Sequence, residues 1–249
     1  MTLTDPLDFS GQRVFVVGGS SGIGNGIAQG FRARGAEVYV AGTRRSAADY
    51  AGEPGSDLEG LHYCQLDVAS LDGIADFGPP FDGLDVLVLS QGLIFYDGLE
   101  FDPVHFRKVI DVNLVSLMAL CGKFFESLKA SANGSVVVIS STAAFHSTPE
   151  NPAYNASKTG AFGLTRTLGQ AWARQGVRVN GIAPGLIPTR FTEYTVGNPE
   201  RLAANLDRIP LGRLGTTTDI ANVALFLASP LSAYMVGETL TVDGGRILE

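Results

Sequence analysis

The sequence predicts an α/β fold in one domain, a doubly wound sheet of parallel strands with helices on both faces, and three observations carry that reading. Short β-rich apolar runs alternate with longer segments of helical period along the chain, as a parallel sheet buried on both faces requires. A glycine-rich turn joins the first run to the first helical segment. The composition, 45% hydrophobic and 17% charged with 31 glycines in 249 residues, suits a packed α/β chain, and a large parallel sheet lets that length bury itself as one unit.

Arg13–Val17 reads as the first strand. Ile23, Ile27 and Phe31 then recur every four residues, the apolar stripe of a helix that Gly35 stops, and 37–41 is the next strand. Further strands are expected at 61–66, 85–90, 135–140, 177–183 and 238–242. Phe106, Val109, Ile110, Leu114, Leu117 and Leu120 keep a helical period with no proline after Pro103, predicting one uninterrupted helix over 102–131. Another is predicted over 153–175. Thr216, followed three positions later by Asp219, resembles a capping box that launches an apolar helix over 220–228. Residues 186–215 break the alternation, are rich in Pro, Gly, Thr and Arg, and predict a mobile substrate lid within the single domain 1–249.

The net charge of −7 argues against broad nucleic-acid binding, because a phosphate backbone selects for clustered Lys and Arg. Cys64 and Cys121 show neither CxxC nor Cys/His spacing, so free buried thiols and no metal site are expected. The first twelve residues lack the basic start and apolar run of a signal peptide, and no apolar stretch is long enough to span a bilayer. A cytoplasmic protein without membrane contact is the expectation.

Gly18, Gly19, Ser20, Ser21, Gly22, Ile23 and Gly24 lie between the first strand and its helix, where a dinucleotide's pyrophosphate meets the positive helix N-terminus. Tyr154 and Lys158 are four residues apart on a predicted helix, so a phenol and an ammonium project from one face. Reducing a carbonyl requires a proton for oxygen while hydride reaches carbon, and a free phenol with a pKa near 10 is a poor partner at neutral pH. A neighbouring ammonium favours the phenolate, so Lys158 is expected, together with an oxidised nicotinamide, to draw the Tyr154 pKa toward the working range.

The G-x-x-x-G-x-G turn, the Y-x-x-x-K pair, Ser141 thirteen positions before Tyr154 and Asn113 in the long helix resemble the short-chain dehydrogenase/reductase family over nearly the whole chain. The resemblance implies a Rossmann-like fold and an NAD(P)-dependent oxidoreductase of CH–OH and C=O groups, usually a homotetramer. It implies that Ser141 binds the substrate oxygen and that Asn113 holds a water linking Lys158 to solvent. Ser140 is the chemical alternative to Ser141, but successive strand side chains point oppositely and the family register selects Ser141.

By the same register, Gly42 stands where an acidic residue would hold the ribose of NAD, while Thr43, Arg44 and Arg45 can donate to a 2′-phosphate, so NADP is expected over NAD. Asp67 and Val68 match the adenine-binding position, and Pro184, Gly185, Ile187 and Thr189 match the segment beside the nicotinamide. Where the family usually has Asn-Asn-Ala-Gly, this chain has Leu89-Ser90-Gln91-Gly92. Ser90 and Gly92 keep the cofactor path, but two bracing amides are gone.

Leu93, Ile94, Phe95, Tyr96, Phe145, His146, Phe191 and Tyr194 fall in the loops expected around the reactive centre and point to a small, largely apolar substrate. The alternatives are a 3-oxoacyl-(acyl-carrier-protein) reductase, weakened by Ala132 and Gln175 where basic docking residues are usual, and an NADP-binding sensor or scaffold without turnover.

Overall fold

The strands β1 (Arg13–Val17), β2 (Glu37–Gly42), β3 (His62–Gln65), β4 (Val86–Leu89), β5 (Ser135–Ile139), β6 (Arg178–Pro184) and β7 (Thr239–Val242) form one parallel sheet in a computed structural model that describes residues 5–248. Their order is β3-β2-β1-β4-β5-β6-β7. The chain winds outward from β1 to β3, crosses back to β4, and winds the other way to β7. Such a reversal opens a crevice beyond the carboxyl ends of the strands, where ligands bind in doubly wound sheets. Each expected strand is present, shifted at its ends by a residue or less.

The helices are α1 (Gly22–Arg32), α2 (Leu71–Asp76), α3 (Pro103–Ile110), α4 (Ser116–Ala130), α5 (Pro152–Trp172), α6 (Glu193–Val196), α7 (Pro199–Asp207) and α8 (Thr217–Ala228). Side chains alternate across each strand, so every central strand feeds two cores. Val14 and Val16 meet Ile27 and Phe31 of α1 and Ile220 and Ala224 of α8 on one face. Phe15 and Val17 meet Leu117, Leu120 and Phe124 of α4 and Leu168 of α5 on the other. Among the described residues no helix is long and apolar enough to cross a membrane.

Two expectations are corrected. The helix predicted over 102–131 is interrupted by a π turn at Asp111–Val115 between α3 and α4. One extra residue enters the turn there, and the buried Asn113 side chain reaches the backbone of Leu93, an alternative set of hydrogen bonds that apolar periodicity does not encode. Residues 186–215, read as a break in regular structure, carry a 3-10 turn at Arg190–Thr192 together with α6 and α7. Asn198 caps α7 by accepting the Arg201 N–H at 3.0 Å, ahead of Pro199 at the first helical position.

Candidate active site

The glycine turn is shaped by contacts that no side chain could share. Gly18 has φ +75°, and a Cβ there would lie 2.8 Å from the Gln91 nitrogen, while a Cβ on Gly24 would overlap the Gly18 carbonyl oxygen. The turn therefore sits directly against the carboxyl end of β4, with Ser20 buried, Ser21 at the N-cap of α1 and Ile23 packed on the core. Gly22, also at positive φ, faces Thr189, whose Cγ2 would be 3.3 Å from an added Cβ. The segment after β6 thus closes the other side of the turn.

Tyr154 and Lys158 share a face of α5, and the Lys158 Nζ lies 5.6 Å from the Tyr154 ring centroid. Lys158 is buried and donates to the Ile139 carbonyl at 3.0 Å. Ser141 lies on the phenol side of Tyr154 and favours its phenolate, while its Oγ accepts the Ala143 N–H at 3.1 Å. Ser140, the alternative, spends its hydroxyl on the Lys158 carbonyl at 3.0 Å. Asn113 is fully buried: its amide oxygen accepts from Leu93 N–H at 2.7 Å, and its Nδ2 donates to the Leu93 carbonyl at 2.8 Å and the Ser157 Oγ at 3.1 Å. Its side chain therefore holds the loop after β4.

Burial pushes the Tyr154 phenol up to about 12; Ser141 opposes this, and nearby Tyr96 and Glu100 add to it. Burial lowers Lys158 to about 8. The protein groups alone thus move the phenol away from neutrality, against the expectation drawn from the Lys158 charge. Desolvation acts on the phenol directly, whereas the ammonium is turned toward Ile139.

At the far end of β2, Thr43, Arg44 and Arg45 follow Gly42 as the sequence indicates, but Arg44 is already engaged. It donates to the Asp49 carbonyl, pairs with Glu53 at 2.5 Å and lies 4.5 Å over the Tyr50 ring. The buried Tyr50 hydroxyl meets Ser20 and Thr43, and a Cβ on Gly42 would lie 2.5 Å from it. Gly42 therefore leaves room for Tyr50, a role separate from the loss of an acidic side chain. Asp67 is exposed and accepts the Ala69 N–H at 3.0 Å, while Val68 is buried.

Beyond β4, Ser90 pairs its N–H with the Val17 carbonyl at 2.9 Å, and Gly92 faces the Phe191 ring. Gln91 supplies an amide that the unusual Leu89-Ser90-Gln91-Gly92 sequence had seemed to lose: its Nε2 donates to the buried Ser116 Oγ of α4 at 2.9 Å. Beyond β6, Pro184 and Ile187 are buried, a Cβ on Gly185 would lie 2.7 Å from the Asp243 Cα, and the Ile187 carbonyl accepts from Thr192 Oγ1 at 2.6 Å.

The residues around the reactive centre do not all converge. Phe191 lies 5.7 Å from the Tyr154 ring, and Tyr96 stacks on Tyr194 at 4.2 Å. Phe145 instead packs edge-on against Phe162, Phe95 packs against His105, and His146 bonds to the backbone. Glu100, Tyr50 and Glu53 enter the site without having been singled out in the sequence. Their partners are distant in the chain or fixed by loop geometry, and only a lone acidic residue between Leu99 and Phe101 hinted at Glu100.

A sequence profile described as enoyl-(acyl carrier protein) reductase matches residues 17–246. A 3-oxoacyl-(acyl-carrier-protein) reductase of Chlamydia pneumoniae is 36% identical over 242 residues, covering 94% of this chain and 96% of that one. The 2-dehydro-3-deoxy-D-gluconate 5-dehydrogenase of Bacillus subtilis is 34% identical over 249 residues, covering 98% and 97%. A crystal structure of an Agrobacterium tumefaciens protein named as a 2-deoxy-D-gluconate 3-dehydrogenase, with bound NADP, superposes with a TM-score of 0.87 at 36% identity over 99% of this chain and 100% of that one. With the parallel sheet, the glycine turn and the Ser141–Tyr154–Lys158 cluster in place, these likenesses settle the family: the chain belongs to the short-chain dehydrogenases/reductases.

Proposed function

We propose that the protein is an NADP-dependent oxidoreductase that interconverts a ketone or aldehyde and an alcohol, with Tyr154 as general acid and base. The gathering of Tyr154, the buried Lys158 5.6 Å from its ring and Ser141 after β5 carries this reading. A dinucleotide fits the residues present, because Gly18, Gly22 and Gly24 give the turn a conformation and packing that side chains could not share, and it leads directly into the N-terminus of α1, where backbone N–H groups meet a phosphate. Gly18, Gly19, Ser20, Ser21, Gly22, Ile23 and Gly24 would hold its pyrophosphate, Thr43, Arg44 and Arg45 its 2′-phosphate, Asp67 and Val68 its adenine, and Ser90, Gly92, Pro184, Gly185, Ile187 and Thr189 its ribose and nicotinamide, with Tyr154 and Lys158 beside the nicotinamide ribose. The nicotinamide, when bound, supplies or accepts the hydride.

In the reductive direction Ser141 donates to the carbonyl oxygen and Tyr154 delivers its proton there. Lys158 stabilises the phenolate left behind, and Asn113 fixes the loop across which that proton is replaced. In the oxidative direction the phenolate removes the hydroxyl proton. The aromatic wall of Phe191, Tyr96 and Tyr194 favours a small, largely apolar substrate, and 186–215, which carries Phe191 and Tyr194, serves as its lid.

A second reading, reduction of a 3-oxoacyl group on a carrier protein, is favoured by the Chlamydia relative. Against it, Lys129 near the expected docking position is paired with Glu126 at 3.4 Å. The sugar-acid enzymes among the relatives mark a third substrate class within the same chemistry. Cys64 and Cys121, free thiols pushed up to about 12 by burial, favour a cytoplasmic setting. The family habit favours a homotetramer, which light scattering should report as four chain masses.

The direct test follows nicotinamide absorbance over a panel of small ketones, sugar acids and acyl thioesters with NADPH and NADH. Turnover with NADPH and a small ketone is expected, and absence of turnover across the panel would sink the reading. Arg44→Ala should raise the KM for NADPH about tenfold, the cost of one charge-assisted hydrogen bond, while changing that for NADH less than twofold. Equal effects on both would remove Arg44 from 2′-phosphate recognition.

A further inference from the structure

The carboxylate of Glu100 has no part in the proton path, yet it is built into its foundation. Glu100 lies in the 3-10 turn Leu99–Phe101 and is 0% exposed. Its two oxygens accept from two backbone donors, Phe95 N–H at 3.1 Å and Tyr154 N–H at 2.8 Å. Burying a carboxylate is costly unless hydrogen bonds replace its water, so these two bonds are the condition for its being there.

The second bond falls where α5 needs an acceptor. Tyr154 is the third residue of the helix and its N–H has no acceptor within the helix, and Asn151, at the N-cap, makes no capping bond. The Asn151 amide is used elsewhere: its Nδ2 donates to the Phe95 carbonyl at 2.7 Å. The Phe95 residue is thus gripped at both its N–H and its C=O, by Glu100 and Asn151. An anion is also favoured at a helix N-terminus by the helix dipole.

We propose that Glu100 is a positioning residue for the reaction: its buried carboxylate ties the backbone of the catalytic tyrosine to the loop that carries Tyr96, so that phenol and substrate wall keep one geometry. The proposal rests on the assignment of Tyr154 as acid and base. A second consequence is electrostatic. The groups facing the phenol are Lys158 on α5, Ser141 after β5, and Tyr96 and Glu100 from the loop after β4; burial raises the phenol most, Ser141 opposes it, and Tyr96 and Glu100 add to the rise, while a cation such as Lys158, 5.6 Å from the ring, favours the phenolate.

Glu100→Gln tests both parts, because it keeps the shape but replaces one acceptor oxygen by an amide nitrogen facing an N–H, and removes the charge. An ultraviolet difference titration, with Tyr154→Phe identifying the relevant phenol, needs no substrate and so remains readable even if the substrate panel fails. The Tyr154 phenol should titrate at lower pH in Glu100→Gln than in the unaltered protein. In turnover, kcat should fall at least about tenfold, consistent with the sensitivity of catalysis to small misplacements, with the KM for NADPH within twofold. A folded Glu100→Gln protein with unchanged phenol titration and kcat overturns the proposal, as does a loss confined to thermal stability. Should Glu100→Gln not fold, Glu100→Asp retains the charge but not the reach: a fall in kcat without movement of the titration is expected, and an unchanged kcat overturns the positioning role.

Discussion

At the scale of the residue, the site is a balance between burial and charge. Tyr154→Phe removes the only proton proposed to reach the substrate oxygen, so kcat should fall by roughly 100- to 10,000-fold while NADPH affinity, read by fluorescence titration, stays within about threefold of the starting value, less than one pKa unit's worth of energy; retention of most activity would end the mechanism. Lys158 makes the opposite prediction for stability. Burial lowers its folded-state pKa to about 8, below roughly 10.4 in an unfolded chain. Between those values the unfolded state binds more protons, so stability rises with pH across that window, and the cost of the buried ammonium is fully present below about 8. Lys158→Met should therefore raise Tm at pH near 7, with the gain shrinking as pH climbs toward roughly 10, although turnover is lost. A lower Tm at neutral pH would show that the bond to Ile139 outweighs the desolvation. The Tyr–Lys pair, Ser141 and the glycine turn were legible because spacing along one chain segment encodes them. Glu100 and the Arg44–Glu53 pair were not, because their partners come from turns and segments that no period connects.

At the scale of the element, what could be read depended on whether local sequence or distant contact sets the boundary. The capping box at Thr216 and Asp219 was visible, and both of its bonds form: Thr216 Oγ1 accepts the Asp219 N–H at 3.1 Å, and the Asp219 carboxylate accepts the Thr216 N–H at 2.8 Å. Arg213 also pairs with Asp219 and, with the Thr216 bonds, holds its carboxyl well below the usual range. Thr216→Ala should cost about 1 kcal/mol in chemical denaturation; no measurable change would mean that the Arg213 pair alone fixes the start of α8. The π turn at Asn113 was not visible. Ile110, Leu114 and Leu117 fit an unbroken helix well enough, and what opens the turn is the grip of Asn113 on Leu93, a residue twenty positions away.

At the scale of the whole molecule, the strand order sets where a ligand can sit, and the segment proposed as a lid would set when. The sheet reverses between β1 and β4, and the segment 186–215 meets the strand ends there, with Thr189 against Gly22 and Phe191 against Gly92. Beside the Arg213–Asp219 pair and the Leu211 N–H bond to the Gly244 carbonyl near its end, two groups of side chains moor its first half. Arg190 pairs with Glu53 at 3.3 Å, the same carboxylate that holds Arg44, so the expected 2′-phosphate site and the lid share one anion. Tyr194 stacks on Tyr96 and donates to Asp97 at 3.0 Å, the Arg201 guanidinium lies 3.8 Å over its ring, and the Tyr96 hydroxyl donates to the Phe191 carbonyl at 3.1 Å. Weakening the second mooring leaves the first. Tyr194→Ala forfeits a stacked pair, about 1 kcal/mol, with the contacts to Asp97 and Arg201. The lid should then open more often, and protease cleavage within 186–215 should accelerate several-fold, because cleavage of a transiently opened segment follows its open population. The KM for the carbonyl substrate should rise in parallel, and NADP should slow cleavage in the unaltered protein more than in the variant. Unchanged cleavage in Tyr194→Ala would show that the stack does not hold the lid.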